Sequence, residues 1–238
     1  MAAAGLRSRL ESLQLVGNNL ANVSTAGFKA DREFYNLFLT LEAEENPAGE
    51  LPWMPVVQGS AIDFRQGGVT PTGAPLDLAL NGPGLFVIEG PQGRLYTRNG
   101  NFKLSRAGRL ETADGYAVLG QGGPLQLPPG EVVVAEDGTV TAGQQQVGRI
   151  RVVELGASQT LSKVGHNYFQ SLDATPPQEA ARTSLRQGQL EASNVNAAEA
   201  AVRLVWVSRQ FEMLSRAIAM VSGDMNRRAI EEIPRLGG

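Results

Sequence analysis

The sequence predicts an α+β protein in which N- and C-terminal helices, paired like a coiled coil, enclose a mostly antiparallel β-domain. Three observations carry this reading. Apolar residues recur at alternating spacings of 3 and 4 near both ends, the period of a helix seam. The middle breaks into short β-type runs separated by glycine turns. No helix-length pattern interrupts that middle, which argues against a parallel βαβ sheet.

At the N-terminus, Leu6, Leu10, Leu13, Gly17 and Leu20 follow at spacings of 4, 3, 4 and 3, with Arg7, Arg9, Glu11 and Gln14 between them. This predicts an amphipathic helix of about five turns. It should stop near Ala21 and Asn22, because Asn22, Ser24, Thr25 and Gly27 favour turns and left-handed backbone. At the other end Ala197, Ala200, Leu204, Val207, Phe211, Leu214, Ile218, Val221 and Met225 keep the coiled-coil period. That helix should start at Ser193 and Asn194, whose short polar side chains can cap free N–H groups, and end before Pro234. Helices of this length are marginal alone in water, whereas each large seam residue contributes about 1.5–3 kcal/mol when buried. The termini are therefore expected to fold conditionally, on pairing within the chain or with other copies.

Between the helices, Glu42 to Pro55 is acidic and proline-containing and reads as a linker or extended arm. Strands are expected at 76–80, 85–89, 95–98, 102–104, 110–112, 116–119, 132–134 and 147–155, with a return at 183–190. Asn99-Gly100, Asp114-Gly115 and Asp137-Gly138 are hairpin-type dipeptides suited to type I′ turns. The organisation is then 1–40, N-terminal helix and following loop; 41–60, linker; 61–189, β-rich domain; 190–238, C-terminal helix.

Composition narrows the chemistry. The chain has 238 residues, 42% of them hydrophobic, enough for a substantial core. Its net charge of −3 offers no general attraction for nucleic acid or anionic lipid. Only Lys29, Lys103 and Lys163 among the 21 basic residues are lysine, and the rest are arginine. Cysteine is absent and His166 is the single histidine, which removes thiol catalysis, disulfides and Cys/His zinc sites. No apolar run reaches the roughly 18–20 residues that span a bilayer, and the first residues lack the apolar stretch of a cleavable signal peptide.

Catalytic patterns fail one after another. No lysine follows a glycine, so a phosphate-binding P-loop is excluded. Gly82-Pro83-Gly84 and Gly120-Gln121-Gly122-Gly123 do not complete a dinucleotide fingerprint and read as turns. No Gly-x-Ser-x-Gly elbow presents a nucleophile to His166, which sits between Gly165 and Asn167 as a surface-loop residue. Glu44/Glu45 and Glu231/Glu232 are adjacent solvated charges rather than a glycosidase pair, and the Asp-Gly turns lack the further acids of a calcium loop. No catalytic residue, cofactor, metal or small-molecule substrate is expected.

Three segments carry a resemblance. The run Leu15 to Lys29, reading LVGNNLANVSTAGFK, resembles the N-terminal signature of the bacterial flagellar rod and hook proteins. Thr72 to Ile88, followed by Tyr96-Thr97-Arg98-Asn99-Gly100-Asn101-Phe102, looks like the β-domain of that family. Gln187 to Asn196, reading QGQLEASNVN, is similar to its C-terminal signature, so the resemblance spans nearly the whole chain. Arg209 to Leu214 and the tail Met225 to Glu232 look more like the proximal rod subunit that carries a β-domain than the distal one. The family has several residues before its Ala-Ala-x-Gly stretch, whereas here Ala3-Ala4-Gly5 follows Met1 almost at once, as from a truncated start or a short first turn.

The resemblance implies a non-enzymatic axial subunit of the basal body, located in the periplasmic rod. Such a subunit leaves the cell through the flagellar export apparatus and assembles with copies of itself and other rod subunits into a torque-transmitting helical tube. The assembly interface it implies comprises Leu6, Leu10, Leu13 and Leu20 on one helix, and Leu204, Val207, Phe211, Leu214, Ile218 and Val221 on the other. Asn18, Asn19 and Asn22 would tie the helix end to backbone groups, Gly27 would permit the turn and Phe28 would anchor it; Ser193, Asn194 and Val195 belong to the C-terminal signature. A distal rod or hook-type subunit is the nearest alternative. Two others are a secreted β-domain protein that binds cell-wall glycan, its helices forming only a stalk, and a hydrolase using His166.

Overall fold

The computed structural model describes residues 2–38, 54–156, 159–165, 167–173 and 175–231; the backbone alone is described for 2–4, 34–38, 54–59, 221, 222 and 224–231. The linker residues 42–53 and His166 lie outside the described residues. The fold is α+β, with a terminal helix at each end and an antiparallel β-domain between. Two compact units are present: Met1–Ala21, Asp31–Ile62 and Asn196–Gly238 form one, Asn22–Ala30 and Asp63–Val195 the other. Residues 22–30, grouped by the sequence reading with the N-terminal helix, thus fall with the β-unit.

In the helical unit, α1 (Ala2–Ala21) ends where the turn-forming cluster begins. The chain then supplies a hairpin of β1 (Asp31–Phe38) and β2 (Met54–Ile62), antiparallel with a bulge at Phe34/Tyr35. The sequence reading has no strand at either place. The last element, α2, runs over Ala197–Glu231. Its N-cap is Asn196, not Ser193 or Asn194: Asn196 Oδ1 accepts from the Ala198 and Glu199 N–H groups at 3.1 and 3.2 Å. Helix α1 lies against α2 and against both hairpin strands.

The β-unit continues with β3 (Val69–Pro71), β4 (Leu78–Asn81), β5 (Leu85–Gly90), β6 (Gly93–Thr97), β7 (Phe102–Leu104), β8 (Leu110–Thr112), β9 (Ala117–Gly120) and β10 (Gly123–Pro124). It closes with β11 (Val132–Val134), β12 (Thr139–Ala142), β13 (Gln145–Arg149), β14 (Val152–Glu154), β15 (Leu161–Val164), β16 (Tyr168–Ser171), β17 (Gln178–Glu179), β18 (Ser184–Gln187) and β19 (Gln189–Glu191). The largest sheet follows the order β15-β16-β6-β5-β9-β8-β7, and smaller sheets pair β11-β12-β13, β4-β18 and β3-β19. Phe86, Ile88, Val118 and Val140 are buried in one continuous core with Phe102 edge-on to Phe86 at 5.1 Å.

The expected return at 183–190 is split by Gly188, whose φ of 70° ends β18 and lets β19 pair elsewhere. The Asp-Gly turns form, but not as type I′, because among the described residues none other than glycine has positive φ. Gly115 and Gly138 donate to Thr112 O and Ala135 O at 3.0 and 2.9 Å, closing turns in which only the glycine is left-handed. Asn99-Gly100 is no hairpin turn: a Cβ on Gly100 would lie 1.7 Å from the Leu78 carbonyl oxygen, so glycine is there for close backbone passage.

Candidate assembly site

On α1 the residues buried are Ser8, Ser12 and Val16, one turn apart. On α2 they are Ala200 and Val207, two turns apart. Small side chains at this spacing let two helices approach closely. The leucines assigned to the α1 seam lie about a third of a turn round from the serine face. Leu6, Leu13 and Leu20 are half-buried and Leu10 is 46% exposed. On α2 the expected heptad residues Leu204, Phe211, Leu214 and Ile218 are half-buried beside buried Val207, while the side chain of Val221 is outside the described residues.

A second apolar set on α2 faces solvent: Val202, Val205, Trp206, Met213 and Met220 are 53–71% exposed. The Arg9 guanidinium of α1 sits 5.9 Å from the Trp206 ring centroid. Arg203 of α2 pairs with Glu33 of β1 at 2.5 Å. Asn19 closes the helix end by a two-way amide contact, its Nδ2 donating to Asp31 O and its Oδ1 accepting from Asp31 N, each at 2.9 Å. Asn18 is exposed.

In the β-unit the loop 22–30 is held by a charged cluster. Gly27, at φ 67°, donates to Glu191 O at 2.7 Å and passes so close to Arg98 that a Cβ would lie 2.4 Å from its carbonyl carbon. Phe28 is fully buried, with the Lys163 ammonium 4.3 Å from its ring centroid and donating to Lys29 O at 2.6 Å. Lys29 Nζ donates to Glu191 Oε1 at 2.6 Å and to Arg65 O at 2.7 Å. Arg98 Nε stands 3.1 Å from Glu191 Oε2, an ion pair whose approach misses hydrogen-bond geometry, since Oε2 has no hydrogen-bond partner. Burial pushes both the Lys29 and the Arg98 pKa down, against the opposing pull of Glu191.

Asn194 completes this arrangement. Its Oδ1 accepts from Ala30 N at 2.8 Å, and its Nδ2 donates to Asp63 O at 2.7 Å and Arg65 O at 3.1 Å. Asn22 is buried and accepts from Thr25 Oγ1 at 3.3 Å, and Ser193 Oγ accepts from Val195 N at 3.2 Å. Gly27, Phe28 and Asn194 therefore come together, with Asn22 in the same loop. Lys29, Glu191 and Arg98, which the sequence reading did not single out, stand at the centre. Their signal in sequence is an ionisable residue in each of the segments 15–29, 96–102 and 187–196. Among the described residues no group of His, Asp or Glu is arranged to hold a metal ion, and no helix is long and apolar enough to cross a membrane.

Known proteins share sequence with these segments. The family profile described as flagellar hook protein FlgE/F/G D1 domain matches residues 79–142, and that described as flagellar basal body rod FlgEFG protein C-terminal matches 186–231. The flagellar basal-body rod protein FlgF of Caulobacter vibrioides is 34% identical over 94% of this chain and 92% of its own length. The chain belongs to the flagellar basal-body rod protein family. Rod proteins FlgG of Buchnera aphidicola (subsp. Schizaphis graminum) and Borreliella burgdorferi are 30% and 33% identical, over 92% and 91% of this chain and 93% and 91% of theirs. Within this rod-family chain the matched C-terminal segment includes Glu191 and Asn194, and α2 to its described end.

Proposed function

We propose that the protein is a structural subunit of the bacterial flagellar basal-body rod that self-assembles through its terminal helices into a helical, torque-transmitting tube. The observation that carries the reading is the second apolar face of α2, Val202, Val205, Trp206, Met213 and Met220, exposed although α2 already lies against α1 by another face. Faces of this kind mark interaction sites. Leu10 and its half-buried neighbours Leu6, Leu13 and Leu20 offer a matching face on α1. A contact between unlike faces of successive copies does not close on itself and builds an open helical array. The partners are thus other copies and adjoining rod subunits, and the role requires no catalysis, cofactor, nucleic acid or membrane insertion.

Passage through the flagellar export apparatus, and a place in the periplasmic part of the rod at its proximal end, complete the reading. The proximal position rests on the sequence of Arg209 to Leu214 and of the tail from Met225. The test is assembly of the purified full-length chain at rising concentration, followed by sedimentation and electron microscopy. Wild type should form filaments, and Met213→Asp/Met220→Asp should remain monomeric with an unchanged β-unit. Equal assembly of the two proteins would exclude this face. Hydrogen exchange on the monomer should show α1 and α2 exchanging faster than the β-sheet core; strong protection of both helices in a true monomer would refute folding on assembly.

A further inference from the structure

The β-unit contains a cleft of about 690 Å³ beside the loop 22–30. Its size is that of a small-ligand site, roughly 300–1,000 Å³. Two tyrosines wall it: Tyr116 and Tyr168 meet edge to face, ring centroids 5.4 Å apart at 69°. Side-chain amides of Gln92, Asn99, Asn167 and Gln170 are among its polar lining, together with the Asp114 carboxylate. Those of Gln92 and Gln170 make no hydrogen bond among the described residues. Asn167 is nine-tenths buried, yet its Oδ1 has no hydrogen-bond partner, while its Nδ2 reaches Ala26 O only at 3.4 Å. A buried acceptor left open costs stability unless a ligand or water supplies a donor.

Among the described residues the lining contains no lysine or arginine, and its charged side chain is the Asp114 carboxylate, which disfavours a phosphate or carboxylate ligand. Amides both donate and accept, which matches hydroxyl groups that do the same, and tyrosine rings offer apolar surface to the C–H face of a pyranose. A peptide that binds by adding a strand would need a free strand edge for its backbone. Neither strand here has one: β6 is paired with β5 and β16, and β16 with β15 and β6. We propose that this cleft binds a neutral oligosaccharide, with a hydroxyl or acetamido N–H donating to Asn167 Oδ1 and the sugar face resting against Tyr116 and Tyr168.

The test titrates the full-length chain with N-acetylated chitotetraose and with maltotetraose, followed by amide chemical shifts and calorimetry. The first probe carries acetamido groups and the second only hydroxyls, so the pair tells which donor the site takes. Saturable binding of either, with shifts at Tyr116 and Tyr168, is the expected result. Gln92→Ala/Gln170→Ala should raise Kd at least about tenfold, the loss of one to two hydrogen bonds, with no change in the unfolding midpoint. No binding of either sugar at tens of millimolar, or binding that the double variant leaves untouched, would overturn the proposal. A proline-rich peptide that shifts the same residues when neither sugar does would reassign the cleft to peptide recognition.

Discussion

Lys29 Nζ donates to Glu191 Oε1 across 2.6 Å with both side chains fully buried, joining positions 162 residues apart. The same carboxylate accepts from Gly67 N at 2.9 Å and faces Arg98. One anion thus sits between two cations, and the loop 22–30 meets the strand Gln189–Glu191 at a single charge. The consequence is an asymmetry between its members.

Glu191→Gln strands two buried cations, whereas Lys29→Met leaves Arg98 beside Glu191 with charges balanced. Removing the shared partner of a buried ion pair costs about 3–5 kcal/mol. Losing the lysine forfeits hydrogen bonds worth about 1.5–3 kcal/mol each, offset in part because an ammonium no longer has to be desolvated. Urea unfolding of the full-length chain should therefore rank Glu191→Gln as the more destabilised. The reverse order would mean that Arg98 does not neutralise Glu191.

Gly27 and Gly73 have nearly the same φ, 67° and 72°, but different surroundings. A Cβ on Gly27 meets Arg98 backbone at 2.4 Å, while nothing lies within 4 Å of one on Gly73. Alanine at Gly73 should cost only the left-handed strain, about 1–2 kcal/mol. At Gly27 the overlap adds a further cost of about 1–3 kcal/mol. Matched denaturation curves for the two variants measure the difference, and equal costs would show that the Arg98 backbone yields.

The terminal helices and several β-unit strands were legible because each follows a local rule. The heptads of α2 announce themselves by period, and β7 and β8 fall where short β-type runs stop at turns. The serine face of α1 was not legible, since Ser8 and Ser12 are polar and a search for apolar period passes over them. Nor was the β1–β2 hairpin, whose strands lie either side of residues 39–53. Glu191 and Lys29 carry no mutual signal in a single sequence, because a pair so distant is fixed by topology alone. By residue type alone Asn194 is a helix-cap candidate. Its amide is engaged by Ala30, Asp63 and Arg65, which leaves capping to Asn196.

Tyr168 predicts a pH dependence. Burial first, and then its hydrogen bond to Asp114, raise the phenol's pKa well above 10.0, while a hydrogen bond accepted from Thr112 at 3.1 Å opposes them. Above pH 10.0 the unfolded chain releases this proton and the folded one keeps it, so the unfolded state binds fewer protons and stability falls as pH rises. Below 10.0 the contribution is complete. Tyr168→Phe should cost about 1–3 kcal/mol near neutrality. That deficit should shrink when urea midpoints are compared at about pH 8 and about pH 11; a constant deficit would contradict a raised pKa.

Ser12 is fully buried on the inward face of α1, and its hydroxyl has no hydrogen-bond partner. A buried unsatisfied hydroxyl costs about 1–3 kcal/mol, and alanine removes it while keeping the small size that the close helix approach uses. Alanine is also the better helix former, by a few tenths of a kcal/mol. Ser12→Ala should therefore slow hydrogen exchange across α1 by about fivefold or more, which corresponds to roughly 1 kcal/mol. Ser12→Leu restores an apolar residue but overfills the contact, and should accelerate exchange in α1 by a comparable factor. If Ser12→Ala instead loosened α1, the hydroxyl would have to be satisfied in solution, and the serine face would be a polar contact rather than a steric one.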